Sequence, residues 1–271
     1  MTRPGPGTTA GAKAPAYLAL TRAVSPRLAE CELTHLARTP IDVPTAFAQH
    51  HRYEQLLTSL GCEVRRVAPA PDHPDSVFIE DTAVVFDDVA VVTRPGAPSR
   101  RAEVRAVEEA LTPLRALVRI VAPAILDGGD VCAVGKRVFV GRTTRTDDAG
   151  IAQLRTELAP FGYSVRAVDV SGCLHLKSAA TAIDDHTVLL NPEWVDAGLF
   201  APLETVAVDP AEPMAANVLR IGDTLVYADA YPLTRARLEA RGQVVHTVAA
   251  TEIAKAEGAV TCCSLVLRAQ R

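Results

Sequence analysis

Five groups of polar residues stand apart from the apolar runs around them: Glu80-Asp81, Asp127 with Asp130, His175, Asn217 and the pair Cys262-Cys263. A thiol, an imidazole and several carboxylates are the residue types of nucleophilic catalysis with acid–base assistance. Each group also has a plainer explanation. Asp127-Gly128-Gly129-Asp130 suits a turn, His175 lies between two leucines and fits a core, Glu80-Asp81 fits a solvated loop end, and two cysteines in an apolar run fit packing. What raises the chemical reading is their placement, because every group sits just before or at the start of a hairpin.

Those hairpins belong to a repeated unit of strand, tight turn, strand, helix and third strand. Ala83–Phe86 and Val89–Thr93 flank Asp87-Asp88, and Val131–Val134 and Val138–Val140 flank Gly135-Lys136. Ser178–Ile183 and Thr187–Leu190 flank Asp184-Asp185-His186, and Asn217–Ile221 and Thr224–Tyr227 flank Gly222-Asp223. β-Branched or apolar runs around Asp or Gly turns are the hairpin signal. Helices are expected over Arg100–Leu117 with Ser99 as cap, over Ala149–Leu158 with Thr146 or Asp147 as cap, and over Leu233–Arg241 between Pro232 and Gly242. Around Pro192–Gly198 a short helix is the most that fits. Third strands follow at Leu117–Val121, Ser164–Val168, Thr205–Val208 and Val244–Val248.

A fifth unit is split: Val260–Leu267 reads as its first strand and Tyr17–Thr21 as its second, with helix Ala46–Leu60 and strand Cys62–Val67 completing it. Third strands recurring at roughly 40–55 residues are the mark of a radial repeat. Pairing the terminal segments would close the ring and remove exposed sheet edges. The expected fold is therefore α/β, a five-bladed propeller of ββαβ units, with equivalent positions converging on one mouth. A doubly wound sheet needs no hairpins, and four clear ones argue against it.

Composition narrows the function classes. In 271 residues, 28 Lys and Arg against 32 Asp and Glu leave no basic surplus for nucleic acid. No apolar run approaches the ~18 residues of a membrane helix. Residues 1–15, rich in Gly, Pro, Thr and Ala, read as a flexible leader without the apolar core of a signal peptide, and residues 16–271 as one domain. The six cysteines include no CxxC pair, so a structural zinc site is not expected, and most read as small buried hydrophobes in a reducing, cytoplasmic setting.

Phe78-Ile79-Glu80-Asp81, the nine residues Thr93 to Arg101, Leu126 to Val131, Leu174 to Ser178 and Thr261 to Ser264 resemble the dimethylarginine dimethylaminohydrolases, in order along the chain. That family has the pentein fold, a five-bladed α/β propeller, and belongs to the guanidine-modifying superfamily. The resemblance implies Cys262 as nucleophile, His175 as general acid and base, and Asp127 as the residue orienting His175. It further implies Asp81 and Asp75 on the guanidinium with Glu80 beside them, Arg100 and Arg145 on the substrate carboxylate, and Leu33 and Ala256 at a mobile lid and the amino-acid end. Ser178 is a weaker neighbour of the site.

The residue types suit the reaction. A resonance-stabilised guanidinium needs a strong nucleophile such as a thiolate, whose formation a cationic substrate favours. Carboxylates grip the planar cation by charge-assisted hydrogen bonds. The expected activity is hydrolysis of Nω-methylated L-arginine to L-citrulline and an alkylamine, with no metal or other cofactor and with zinc as an inhibitor held by Cys262 and His175. The partner is a small molecule, not nucleic acid or membrane, and a homodimer is allowed. Arginine deiminase, amidinotransferase and a ring-shaped binding protein without catalysis are the alternatives.

Overall fold

The computed structural model describes residues 16–269. In chain order it begins with β1 (Tyr17–Thr21), α1 (Val43–Ser59) and β2 (Cys62–Arg66), then β3 (Ala83–Val85), β4 (Val89–Val92), α2 (Val104–Leu111) and β5 (Ala116–Arg119). Next come β6 (Val131–Val134), β7 (Arg137–Arg142), α3 (Asp148–Leu158) and β8 (Ser164–Asp169). They are followed by α4 (Leu176–Ala179), β9 (Ala180–Ala182), β10 (Thr187–Leu190) and β11 (Glu204–Ala207). The chain continues with β12 (Val218–Ile221), β13 (Thr224–Ala228), α5 (Pro232–Ala240), β14 (Val244–Val248), α6 (Thr251–Ala254) and β15 (Leu265–Arg268).

The strands form five three-stranded sheets of one design, in the orders β3-β4-β5, β6-β7-β8, β9-β10-β11, β12-β13-β14 and β15-β1-β2. In each, the first two strands pair antiparallel and the third joins the second in parallel. The split unit is real: Leu18 faces Leu267 across an antiparallel ladder and Glu63 across a parallel one. A parallel partner needs a crossover connection, which a helix supplies in four of the units.

Burial follows this order. Middle strands β4 and β10 are buried along their whole length, whereas third strands such as β5 and β2 are largely exposed. Residues of all five first strands, including Val84, Val131, Thr181, Val218 and Leu265, border one cavity of about 380 Å³. The core is divided into clusters between sheets and helices. One packs Ile151, Leu154 and Leu158 of α3 against Val131, Val138 and Val140.

The cap of α3 is as expected, with Asp147 accepting from the Gly150 amide at 2.7 Å. Three local expectations change. The helix expected over Arg100–Leu117 is a 3₁₀ segment, Pro98–Glu103, followed by α2, which ends at Leu111 before Thr112-Pro113. Ser99 does not cap it; its hydroxyl meets Glu32 instead. The strand expected from Ser178 opens as a helical turn, α4, before β9. Cys262 and Cys263 lie not in a strand but in a turn ahead of β15, where Asn217 Oδ1 takes the Thr261 amide at 3.1 Å and so withdraws it from the ladder. The expected leader, 1–15, lies outside the described residues.

Leu154→Ala should lower the stability of the chain by about 2–5 kcal/mol, the usual result of emptying a fully buried leucine site. Denaturant unfolding measures it.

Candidate active site

The loops that enter the first strands meet at one place. Before β3, Phe78 to Thr82 form a short buried turn that carries Glu80 and Asp81. Before β6, Asp127 leads into Gly128–Asp130. The two loops touch so closely that a Cβ on Gly129 would lie 2.7 Å from both Asp81 Oδ1 and His175 Nδ1. The Gly129 amide uses that closeness to donate to Asp81 Oδ1 at 3.1 Å. His175 precedes α4, and Cys262 precedes β15.

His175 is the centre of the cluster. Its Nε2 lies 3.0 Å from Asp127 Oδ2 and its Nδ1 3.8 Å from Asp81 Oδ1. Asp127 is fixed from its other side by the Gly96 amide at 2.9 Å. Behind them Asp130, fully buried, accepts from Thr143, Thr146 and the Leu176 amide at 2.7, 2.7 and 2.9 Å. Thr146 Oγ1 in turn accepts from the Asp127 amide.

The electrostatics follow from this crowding. Burial works against a charged His175, but the carboxylates of Asp81, Asp130 and Asp127 outweigh it and raise its pKa to about 9. Burial would raise Asp81, and the charges of His175 and Arg100 overturn that and hold it low. Asp130, where burial prevails, rises to about 6. Burial, with Glu80 and Asp81 nearby, pushes the Cys262 thiol well up. At neutral pH these surroundings favour a protonated imidazole at His175 and the thiol form of Cys262.

A cavity of about 20 Å³ lies among Cys262, His175, Asp127, Asp81, Asp75, Arg100, Arg145, Ala256 and their neighbours. That volume is on the scale of one water molecule, so these side chains leave little room between them. The segment over it, around residues 31–36, is held by Glu257, whose carboxylate accepts from the amides of Thr34, His35 and Leu36 at 3.0, 2.5 and 2.6 Å. Glu257 does so with a left-handed backbone, φ 58°, which costs a non-glycine residue energy. Asp75 is buried on the same side, accepts from the Glu32 amide at 3.2 Å, and is raised by burial to about 6.

The residues expected from sequence separate into three sets. Cys262, His175, Asp127, Asp81, Asp75, Arg145, Arg100 and Ala256 share the small cavity. Arg145 is half-buried there and meets Glu32 at 3.4 Å and Thr34 at 3.2 Å. Arg100 is buried, bound to Asp81, to Glu103 and to the carbonyls of Asp75 and Phe78, so only its Nη1 has capacity for another acceptor.

Glu80 does not join them. Lys177 at 2.6 Å and Thr261 at 2.7 Å hold its carboxylate, and it borders the larger cavity instead. Leu33 packs on the core cluster that contains Phe78 and Cys31, and Ser178 does not line the small cavity. Leu174, Glu32 and Glu257 line it without having been singled out in the sequence. Leu174 alone had a local signal, as the neighbour of His175.

Asp81, Asp127 and His175 each offer one donor atom within 4.8 Å of the others, the spacing of a metal site. These atoms already pair with one another and with Arg100. A second cation would have to compete with a guanidinium and an imidazolium, so the cluster suits a hydrogen-bonded acid–base group better than a metal.

No protein-family model matches the chain. Over 256 residues, which cover 94% of this chain and 98% of the relative, it is 45% identical to the N(G),N(G)-dimethylarginine dimethylaminohydrolase of Streptomyces coelicolor. The chain belongs to the dimethylarginine dimethylaminohydrolase family. The member from Pseudomonas aeruginosa is 30% identical over 234 residues, 86% of this chain and 91% of that one.

Among solved structures, a cysteine-to-serine mutant of the Pseudomonas aeruginosa enzyme in complex with citrulline superposes with TM-score 0.85 at 28% identity, over 92% of this chain and 98% of that one. A histidine-to-glycine dimethylarginine dimethylaminohydrolase carrying an S-methyl-L-thiocitrulline adduct gives 0.87 at 29% identity, with the same coverage. The N-terminal domain of a cyanobacterial arginine dihydrolase, at 17% identity, shares the fold with TM-score 0.79 over 93% of this chain and 98% of that one.

The imidazole predicts a pH effect on stability. Its folded pKa of about 9 stands above its ordinary 6.5. Its stabilising contribution is therefore complete below about pH 6.5 and is lost as pH rises through about 9. Melting temperature should fall over that window, and His175→Asn should flatten the fall.

Proposed function

We propose that the chain hydrolyses Nω-methylated L-arginine to L-citrulline and an alkylamine through a covalent intermediate on Cys262. The observation that carries the reading is the convergence of a thiol, a carboxylate-held imidazole and a low-pKa buried carboxylate on one small cavity. The family relationship agrees with it.

The substrate guanidinium supplies the missing cation. Set against Asp81, it neutralises the negative surroundings that keep Cys262 protonated, so the thiol releases its proton to solvent and thiolate formation becomes favourable. The thiolate attacks the central guanidinium carbon, forming the C–S bond. His175, protonated at neutral pH, gives its proton to the departing alkylamine as the C–N bond breaks, leaving an S-alkylthiouronium on Cys262. The imidazole, now neutral, takes a proton from water, whose oxygen attacks the same carbon. The C–S bond then breaks and the new hydroxyl gives its proton to the departing Cys262 sulfur, which restores the thiol and completes the ureido group of citrulline. Asp127 holds the imidazole in register, and Gly96 and Thr146 hold Asp127.

Asp75 is read with Asp81 on the guanidinium; at the other end of the substrate Ala256 is read as lining the amino-acid end and Arg145 as the partner of the carboxylate, with Arg100 offering its remaining donor. Glu32, which meets Arg145, marks the place a substrate carboxylate would take. Leu33 rides on the covering segment, so it reaches substrate only as that segment moves, and Glu80 supports the site from behind through Thr261. The five sheets are read as the blades of one closed propeller, a single catalytic domain, because their first strands share one cavity. No cofactor has a part in these steps.

Cys262→Ser should abolish turnover, whereas Cys263→Ser should retain most of it, because Cys263 is buried in the core cluster on the far side of the turn. Scored by kcat/KM for citrulline formation, the methylarginines should exceed arginine and agmatine. Faster agmatine would defeat the carboxylate contact, and faster arginine would make the enzyme a deiminase. Turnover should also survive dialysis against a strong chelator and be inhibited by added zinc through Cys262 and His175. Activity lost to chelator and restored by a metal would overturn the metal-free scheme.

A further inference from the structure

Glu103 is almost fully buried and lies outside the small cavity, yet it is joined to it by an unbroken chain of charge. Its Oε1 accepts from Arg100 Nε at 3.2 Å and its Oε2 from Arg100 Nη2 at 2.7 Å. Arg100 Nη1 then donates to Asp81 Oδ2, while Asp81 Oδ1 faces the Gly129 amide and His175. On the opposite side stands Arg22, fully buried, with Nη2 donating to the Glu103 carbonyl at 2.9 Å and Nη1 4.0 Å from Oε2. Arg22 Nε is buried without a partner among the described residues. An arginine kept in the interior at that cost argues that the chain it terminates has a use.

A carboxylate that grips a guanidinium through two oxygens fixes its plane as well as its position. We propose that Glu103 is a positioning residue for catalysis: by fixing the plane of Arg100 it sets the rotamer in which Asp81 meets the substrate guanidinium. The inference rests on the reading of Asp81 as the guanidinium-binding carboxylate. A rival role for Glu103, as a plain counter-charge to Arg22 and Arg100, would need its charge but not its reach.

Two reagents of nearly equal shape separate the roles. 2-Chloroacetamidine is a cation that Asp81 would hold against Cys262, and 2-chloroacetamide is its neutral counterpart. The rates at which each alkylates the full-length protein give a preference for the cation. Melting temperature is recorded alongside.

The native chain should prefer the amidine, and Asp81→Asn should lose that preference. Glu103→Asp keeps the charge but withdraws it by one methylene. It should lower the preference roughly ten- to a hundredfold, the scale for a displaced catalytic geometry, with the amide rate unchanged. Glu103→Gln should do the same, and if it fails to fold Glu103→Asp decides alone.

Glu103→Asp with native preference, beside an Asp81→Asn that has lost it, would overturn the positioning role and leave the functional reading intact. Equal loss of both reagent rates in Glu103→Asp would also overturn it, as the sign of general disruption. A native chain without preference would instead defeat the role of Asp81, and the role of Glu103 with it.

Discussion

Three buried carboxylates, Asp81, Asp127 and Asp130, surround one imidazole. Like charges so close in a poorly solvated interior repel, and taken alone they would protonate or push the loops apart. His175 on one side and Arg100 on the other make the arrangement tenable, and backbone amides of Gly96, Gly129 and Leu176 finish the satisfaction of the oxygens. The local fold serves this balance. Gly129 has no side chain because Asp81 and His175 occupy its place, and Thr143 and Thr146 turn their hydroxyls inward to Asp130. A site built this way is rigid before substrate arrives, which electrostatic catalysis requires.

In the proposed mechanism the same balance gives the site its selectivity. Burial and the carboxylates of Glu80 and Asp81 favour the thiol form of Cys262, and a neutral molecule adds no charge to offset them. A planar cation does. In the proposed mechanism recognition and activation are then one event, since the group that identifies the substrate is also the group that makes the nucleophile.

Much of this was legible in the sequence because it is written in local pattern. Alternating apolar runs around Asp and Gly turns gave away the hairpins, and the position of His175, Asp127 and Cys262 relative to them gave away the convergence. Local pattern also misled. Val260–Leu267 has a strand's composition, but the ladder begins only at Leu265, since Asn217 captures the Thr261 amide from another unit. Ser99 has the look of a helix cap, whereas its hydroxyl meets Glu32, and Glu103 in the same segment answers Arg100 and Arg22. Glu32, Glu257 and Lys177 act through partners tens to hundreds of residues away, as in the contact between Glu257 and His35. No periodicity or neighbour marks a residue whose role is defined wholly by tertiary contact.

The sheet that joins Leu18 to Leu267 has a consequence for how the molecule comes into being. During synthesis β1 and β2 are made before the other described strands, and β1 then has one edge unpaired until β15, the last of the described strands, is made. The turn bearing Cys262 immediately precedes that strand. Four sheets can settle while the chain is still growing, but the Cys262 thiol takes its place among the carboxylates only when the fifth is completed. On the reading of Cys262 as nucleophile, a growing chain then has no activity, and the open edge of β1 is exposed to wrong pairing until β15 arrives.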